Sequence, residues 1–146
     1  MAKDIVEAHD QTVSHRYGIK YPSHEPREKD PHKHDFLAWK KMRKDSNTYY
    51  CDFAHLHRND DFSECDDTRP LEAHHGIIEL AMANEVDFTL LEKDFPGISK
   101  DSIGEWIDSD ANLMLLCAFH HRGHGGIHVA AYADYKASEY IRGLLF

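Results

Sequence analysis

The chain lacks any apolar run approaching the roughly 18 residues that a membrane helix needs. Its start, Met1-Ala2-Lys3-Asp4-Ile5-Val6-Glu7, lacks the hydrophobic stretch of a secretory signal. These two absences lead to the expectation of a cytoplasmic protein without membrane contact. Cysteine is scarce, at three residues in 146, so the thiols are expected to be reduced or metal-bound rather than paired in disulfides. No internal repeat and no low-complexity tract is present. Positive charge is also in short supply. Lys and Arg number 17 against 26 Asp and Glu, a net charge of −9, which counts against tight non-specific binding to a phosphate backbone.

What is present fits one soluble globular domain with a modest core: 41% of residues are hydrophobic and 29% charged. The acidity is uneven. Residues 1–50 hold 10 basic against 8 acidic side chains and residues 112–146 hold 3 against 2, whereas residues 51–111 hold 4 against 16. Thirteen histidines add positive charge as pH falls toward about 6.5, their unperturbed pKa.

Residues 1–34 read as a polar, extended arm, interrupted by Tyr21-Pro22-Ser23-His24-Glu25-Pro26 and Asp30-Pro31-His32-Lys33-His34. Residues 35–146 read as the folded domain. Asp35 to Lys44 predicts a short helix with Asp35 as cap and Phe36, Trp39 and Met42 or Lys40 at helical spacing. Lys40, Lys41, Arg43 and Lys44 make its dense basic cluster, open to two readings: a solvated helix face, or a contact with DNA phosphates that positions without reading sequence. Thr48-Tyr49-Tyr50-Cys51 predicts a strand from its β-branched and aromatic content, followed by a polar loop to Cys65. Pro70 to His74 predicts a second extended piece. Ile77, Leu80, Ala81 and Asn84 follow helical spacing. Phe88 to Leu91 and Ile103 to Ile107 predict short helices around a Phe95-Pro96-Gly97 turn, and Leu113 to Leu116 a buried strand or turn. A C-terminal helix is predicted from an Asp134 cap and an apolar stripe of Tyr135, Ile141, Leu144 and Leu145.

The most informative pattern is spread over two blocks. His74-His75 ends one apolar run, Asn112 opens another 37 residues later, and His120-His121 closes it. Hydrolysing a phosphodiester needs an activated water, neutralised charge on the phosphate and help for the leaving oxygen; a divalent ion supplies the last two. A histidine whose pKa lies near working pH takes the water's proton. Adjacent residues of an extended segment point to opposite sides, so one of His74 and His75 can face a metal while the other faces substrate. An asparagine carbonyl accepting a ring N–H fixes the tautomer of the base, the role expected of Asn112. Cys51, Cys65, Cys117 and His120, with His55 or His57 nearby, form a candidate tetrahedral structural zinc set; the other reading is buried free thiols.

On these residues the sequence resembles the HNH endonucleases of the ββα-metal (His-Me finger) group, especially the small phage-encoded type. The segment Asn112-Leu113-x-x-Leu116-Cys117-x-x-His120-His121 is similar to the family's Asn-Leu-x-x-Leu-Cys-x-x-Cys-His, with His120 in place of the second cysteine. The resemblance covers roughly residues 49–146. It implies an α+β fold: a ββα-metal (HNH) core with a helical insertion and a C-terminal helix, gripping one divalent metal (Mg, Mn, Ni or Zn). His75 is then the catalytic base, assisted by Asn112, and His74 and His121 are metal ligands. Bacteriocin nucleases of the group add a histidine shortly after the last ligand, a part that His124 or His128 can take. Family members often clamp the hairpin with a structural zinc through two Cys-x-x-Cys pairs, both incomplete in this chain.

Two departures bear on function. Where the family usually has a loop with proline and paired glycines, this chain has Gly76-Ile77-Ile78-Glu79 and an insertion, residues 76–111, with 9 acidic against 2 basic residues. The surplus of histidines leaves His121, His124 and His128 as alternatives for completing the site, because Gly123, Gly125 and Gly126 would break a regular helix there. The resemblance implies a metal-dependent DNA endonuclease or nickase, phage-encoded and acting in the bacterial host cytoplasm. One alternative is a catalytically weak or inactive relative working by protein contact, on packaging or defence machinery, through the acidic insertion. The other is a nuclease of RNA or single strands.

Overall fold

A computed structural model describes residues 5–26, 29 and 33–146. The start of the chain (1–4) and the core of the second proline-containing break (30–32) lie outside the described residues. In chain order the elements are α1 (Lys33–Asp45), α2 (Asp52–His57), β1 (Glu72–His75), a 3-10 turn (Leu80–Glu85), α3 (Phe88–Leu91), α4 (Ile103–Ile107), β2 (Leu113–Leu116), α5 (Ala118–Arg122) and α6 (Tyr132–Ser138). The class is mixed α+β. No helix among the described residues is long and apolar enough to cross a membrane.

The two strands form an antiparallel pair with Glu72 opposite Leu116, Ala73 opposite Leu115, His74 opposite Met114 and His75 opposite Leu113. Side chains alternate along each strand, so the ribbon separates two apolar clusters. On one side Leu116 and Met114 pack with Cys51, Phe53, Ala54, Cys117 and Tyr135. On the other, Leu113 and Leu115 pack with Trp39, Phe36, Tyr49 and Ala73. The same alternation places His74 and His75 on opposite faces. Residues 76–111 build a third apolar centre from Leu91, Ile103, Trp106 and Ile107, flanked by Ile78, Leu80 and Phe95.

α1 is fastened to β2 through buried polar groups. Arg43 donates to both carboxylate oxygens of Asp52, at 3.1 and 2.6 Å, and Asp52 Oδ2 accepts the backbone N–H of Leu115 at 2.8 Å. Trp39 Nε1 donates to Asp110 at 2.9 Å. Thr48 to Cys51 is not a strand. The chain leaves α1 through Asn47 at φ 57°, Thr48 N–H returns to the Arg43 carbonyl, and Cys51 already stands as N-cap of α2. Its aromatic content serves packing, since among the described residues β1 and β2 pair only with each other. The stretch expected to loop to Cys65 opens with α2, which buries Phe53 and Ala54.

The C-terminal helix is shorter than its predicted stripe. α6 ends at Ser138, Asp134 lies inside its first turn rather than at the cap, and Ile141 and Leu144 are exposed beyond it. Arg58 ends the helix by donating to the carbonyls of Ser138 (2.7 Å) and Glu139 (3.2 Å). The arm, residues 5–26, has no regular structure and is almost wholly exposed. Asn84 donates to the Ser23 carbonyl at 2.6 Å, and His15 lies 3.7 Å from Asp134.

Candidate metal centres and active site

Cys51, Cys65, Cys117 and His120 come together from three segments of the chain. His120 Nδ1 lies 3.7, 3.8 and 3.1 Å from the sulfurs of Cys51, Cys65 and Cys117. Zinc with its usual Zn–S and Zn–N bonds, in a tetrahedron, puts sulfur and nitrogen roughly 3.6 Å apart. The donor set and its spacing therefore fit a metal ion, and three thiolates with one imidazole are the chemistry of a structural zinc. Local folding explains the convergence. Cys51 caps α2 and Cys117 caps α5, its sulfur accepting the His120 N–H at 3.4 Å, while the His120 ring stacks on Phe53 with centroids 4.2 Å apart. Hydrogen bonds from Cys51 and Cys65 push the Cys117 thiol far down, and sharing with Cys117 and Cys51 pushes Cys65 up. Burial acts to lower His120, but its bonds to the Cys117 and Cys51 sulfurs raise it to about 9. His55 and His57 stand outside this group.

A second group joins His74, His121 and His128, whose ligating nitrogens all lie within 4.8 Å of one another. His74 Nδ1 and His128 Nε2 are 3.2 Å apart, close to the roughly 3.3 Å edge of a tetrahedron with ordinary metal–imidazole bonds. His121 Nδ1 bonds Glu72 Oε2 at 2.5 Å, which leaves Nε2 as the ligating nitrogen. Arg122 holds the same carboxylate, its Nε at 2.8 Å, so His121 carries the carboxylate partner that metal-binding histidines usually have. Burial, then His128 and His121, lower His74 to about 4, and burial and His121 lower His128. These two rings are thus neutral and able to ligate at neutral pH.

Glycines bring His128 back to this group. After α5 the chain doubles over the helix, with Ile127 N–H on the His120 carbonyl and His128 N–H on that of His121. A Cβ on Gly126 would come within 2.6 Å of the His121 oxygen, and one on Gly125 within 2.5 Å of the Phe119 ring. Only glycine permits that approach. Among the alternatives for the last ligand, His121 and His128 join His74, whereas His124 is exposed and outside the group.

His75 sits across the ribbon from the three rings, at the end of β1. Its Nε2 lies 2.9 Å from Asp108 Oδ1, a carboxylate that is fully buried, and its Nδ1 lies 3.5 Å from Glu79 Oε2. Burial acts to lower its pKa, but the bonds to Asp108 and then Glu79 raise it to about 9. The expected partner does not reach it. Asn112 Oδ1 accepts the N–H groups of Ile77 and Ile78, both at 3.0 Å, and its amide donates to the carbonyls of Ile78 and Ile107, both at 2.9 Å. That amide is fully committed to fixing the turn after β1, and Asp108 orients His75 instead. Asp108 had no signal in the sequence beyond being one acid among nine in the insertion.

The basic cluster of α1 divides. Arg43 is buried on Asp52 and Thr48 and does not face solvent. Lys41 and Lys44 are exposed, the first bonded to Asp45 at 2.5 Å and the second 4.9 Å from the Tyr49 ring centroid, while Lys40 lies half-buried over Phe36. Compared with family models, curated proteins and solved structures, the chain matches none.

Proposed function

We propose that this chain is a metal-dependent endonuclease of the HNH type, with a ββα-metal core formed by β1, β2 and α5, that hydrolyses DNA phosphodiester bonds. The observation that carries this reading is the convergence of His74, His121 and His128 at the end of the strand on which His75 is held by a buried carboxylate. A divalent ion held by these three imidazoles would supply Lewis acidity to the scissile phosphate and its leaving oxygen. His75 takes the proton of the attacking water at Nδ1, with Nε2–H donated to Asp108 and the imidazolium stabilised by that carboxylate. Nδ1 faces Glu79 in the structure, so the base opens to water once that carboxylate is drawn aside. Lys41 and Lys44 offer the exposed charge for the nucleic-acid backbone.

Relaxation of a supercoiled plasmid, measured in EDTA, Mg²⁺, Mn²⁺, Ni²⁺ and Zn²⁺, tests the reading. Cleavage is expected with at least one ion and none in EDTA, and His75→Ala is expected to abolish it while fold and metal uptake persist. Unchanged cleavage by that variant ends the assignment of the base. Single-stranded DNA and RNA run beside the plasmid decide the substrate form. A second reading, a protein-contact adaptor of phage packaging or defence, draws support from residues 76–111, which surround an apolar centre of their own with acidic groups and expose Leu90. It expects no cleavage with any ion.

A further inference from the structure

Glu79 reaches both faces of the ribbon's end. Its Oε2 lies 3.5 Å from His75 Nδ1 and its Oε1 lies 4.0 Å from His128 Nε2; Glu79 stands at the edge of the three-ring group, against His128, and not within it. The turn that delivers it is held in place: Gly76 N–H bonds the Asn112 carbonyl at 2.6 Å, and the Asn112 amide clasps Ile77 and Ile78. That clasp brings the residue four places after His75 back toward the rings on the other side. Glu79 is half-buried and its charge is felt by His74 and His128 as well as by His75.

We propose that Glu79 is the fourth protein ligand of the cation held by His74, His121 and His128. The inference rests on the metal site assigned above. Three neutral imidazoles and one carboxylate leave a divalent ion with a single net charge, and an N₃O set suits first-row ions such as Mn²⁺ and Zn²⁺. Turning Oε1 toward the cation draws Oε2 from His75, so loading the metal uncovers Nδ1 of the base. Glu79 would thus couple occupancy of the metal site to readiness of the base.

The test reads binding, without substrate. The protein is first given one equivalent of Zn²⁺ for the thiolate set, then titrated with Mn²⁺ by calorimetry and by the Mn²⁺ paramagnetic resonance signal. Glu79→Gln, which keeps shape and removes charge, is expected to weaken Mn²⁺ about tenfold or more, the scale on which even outer carboxylates act. Glu79→Asp is expected to bind between the two, and His124→Ala to bind as the unaltered chain does. Circular dichroism confirms that each variant is folded. Equal affinity in the unaltered protein and Glu79→Gln overturns the inference, as does an unaltered protein that takes up no Mn²⁺, or a Glu79→Asp variant no better than Glu79→Gln. Plasmid cleavage with an affinity indifferent to Glu79 would overturn this inference alone; Glu79-dependent binding without cleavage would overturn only the nuclease.

Discussion

Two imidazoles adjacent in the chain titrate in opposite directions, and that opposition separates their work. Burial lowers His74, reinforced by two neighbouring imidazoles, to about 4; His75 is buried too, but Asp108 and Glu79 outweigh the desolvation and hold it at about 9. Without metal the His75 ring is therefore mostly protonated at neutral pH; in the proposed reaction, drawing Glu79 onto the cation removes part of what raises it, so cleavage is expected to climb with pH and level off below about 9. Asp108→Asn removes one of the two carboxylates that raise it and leaves burial opposed by Glu79 alone. The rising limb of the pH–rate profile should then move to lower pH, with a smaller plateau because the ring is held less firmly. Stability follows the same sign: the His75–Asp108 contribution is present below about 6.5, the unfolded value, and is lost as pH rises through about 9. An unfolding series from pH 6 to 10 should show that loss in the unaltered chain and a weaker slope in Asp108→Asn. A limb that stays in place would remove Asp108 from the positioning of the base. The histidines were legible in the sequence because their spacing is rare. Asp108 was not, because its partner lies 33 residues away and only the fold of the insertion brings it there.

Among elements, α1 shows how a run of like charges divides into different tasks. The spacing of Phe36 and Trp39 was legible as an amphipathic helix, but the four basic residues beside them could not be told apart by sequence. Arg43 is turned inward against Asp52, with 9% of its side chain exposed, while 76% of the Lys41 side chain is exposed. Arg43→Ala is expected to destabilise the protein by about 3 kcal/mol, since it strands a buried carboxylate that also receives Leu115 N–H. Lys41→Ala with Lys44→Ala should leave the melting temperature nearly unchanged. If both lysines meet phosphates, the double variant flattens the dependence of log affinity on log salt by about 2; an unchanged slope would remove α1 from the DNA contact. Short helices at Phe88–Leu91 and Ile103–Ile107 and the strand pieces at Glu72–His75 and Leu113–Leu116 were readable because apolar residues mark them locally. Thr48 to Cys51 was not, because β propensity counts only where a partner strand is available. The C-terminal stripe misled for a related reason: Arg58, 80 residues before Ser138, terminates the helix.

The whole molecule is built from short pieces, with strands of four residues and, apart from α1, α-helices of four to seven. Among the described residues the packing is divided over three apolar clusters, two of them joined through Leu71. The thiolate set lies beside the first of these clusters, where a metal would act as a cross-link. Cys51 and His120 are 69 residues apart, and a metal joining them with Cys65 and Cys117 would tie α2, the following loop and the β2–α5 junction into the first cluster. The sequence already offered Cys51, Cys65, Cys117 and His120 as a candidate set, and the fold brings these four together; it left buried free thiols as the alternative because neither Cys-x-x-Cys pair is complete and His120 replaces a thiol. If the set holds zinc, its loss is expected to cost several kcal/mol, and at about 3 °C per kcal/mol for a chain of this size the melting temperature should fall by about 10 °C. A strong chelator, or Cys117→Ser, should produce that fall along with loss of one zinc per chain by native mass spectrometry. Cys65, the least buried of the three thiols, should become reactive to thiol reagents at the same time. A zinc-free protein that melts where the purified one does would instead identify the three sulfurs as packing groups, and the clusters would have to hold together through Arg43–Asp52, Arg58 and the Asn112 clasp alone.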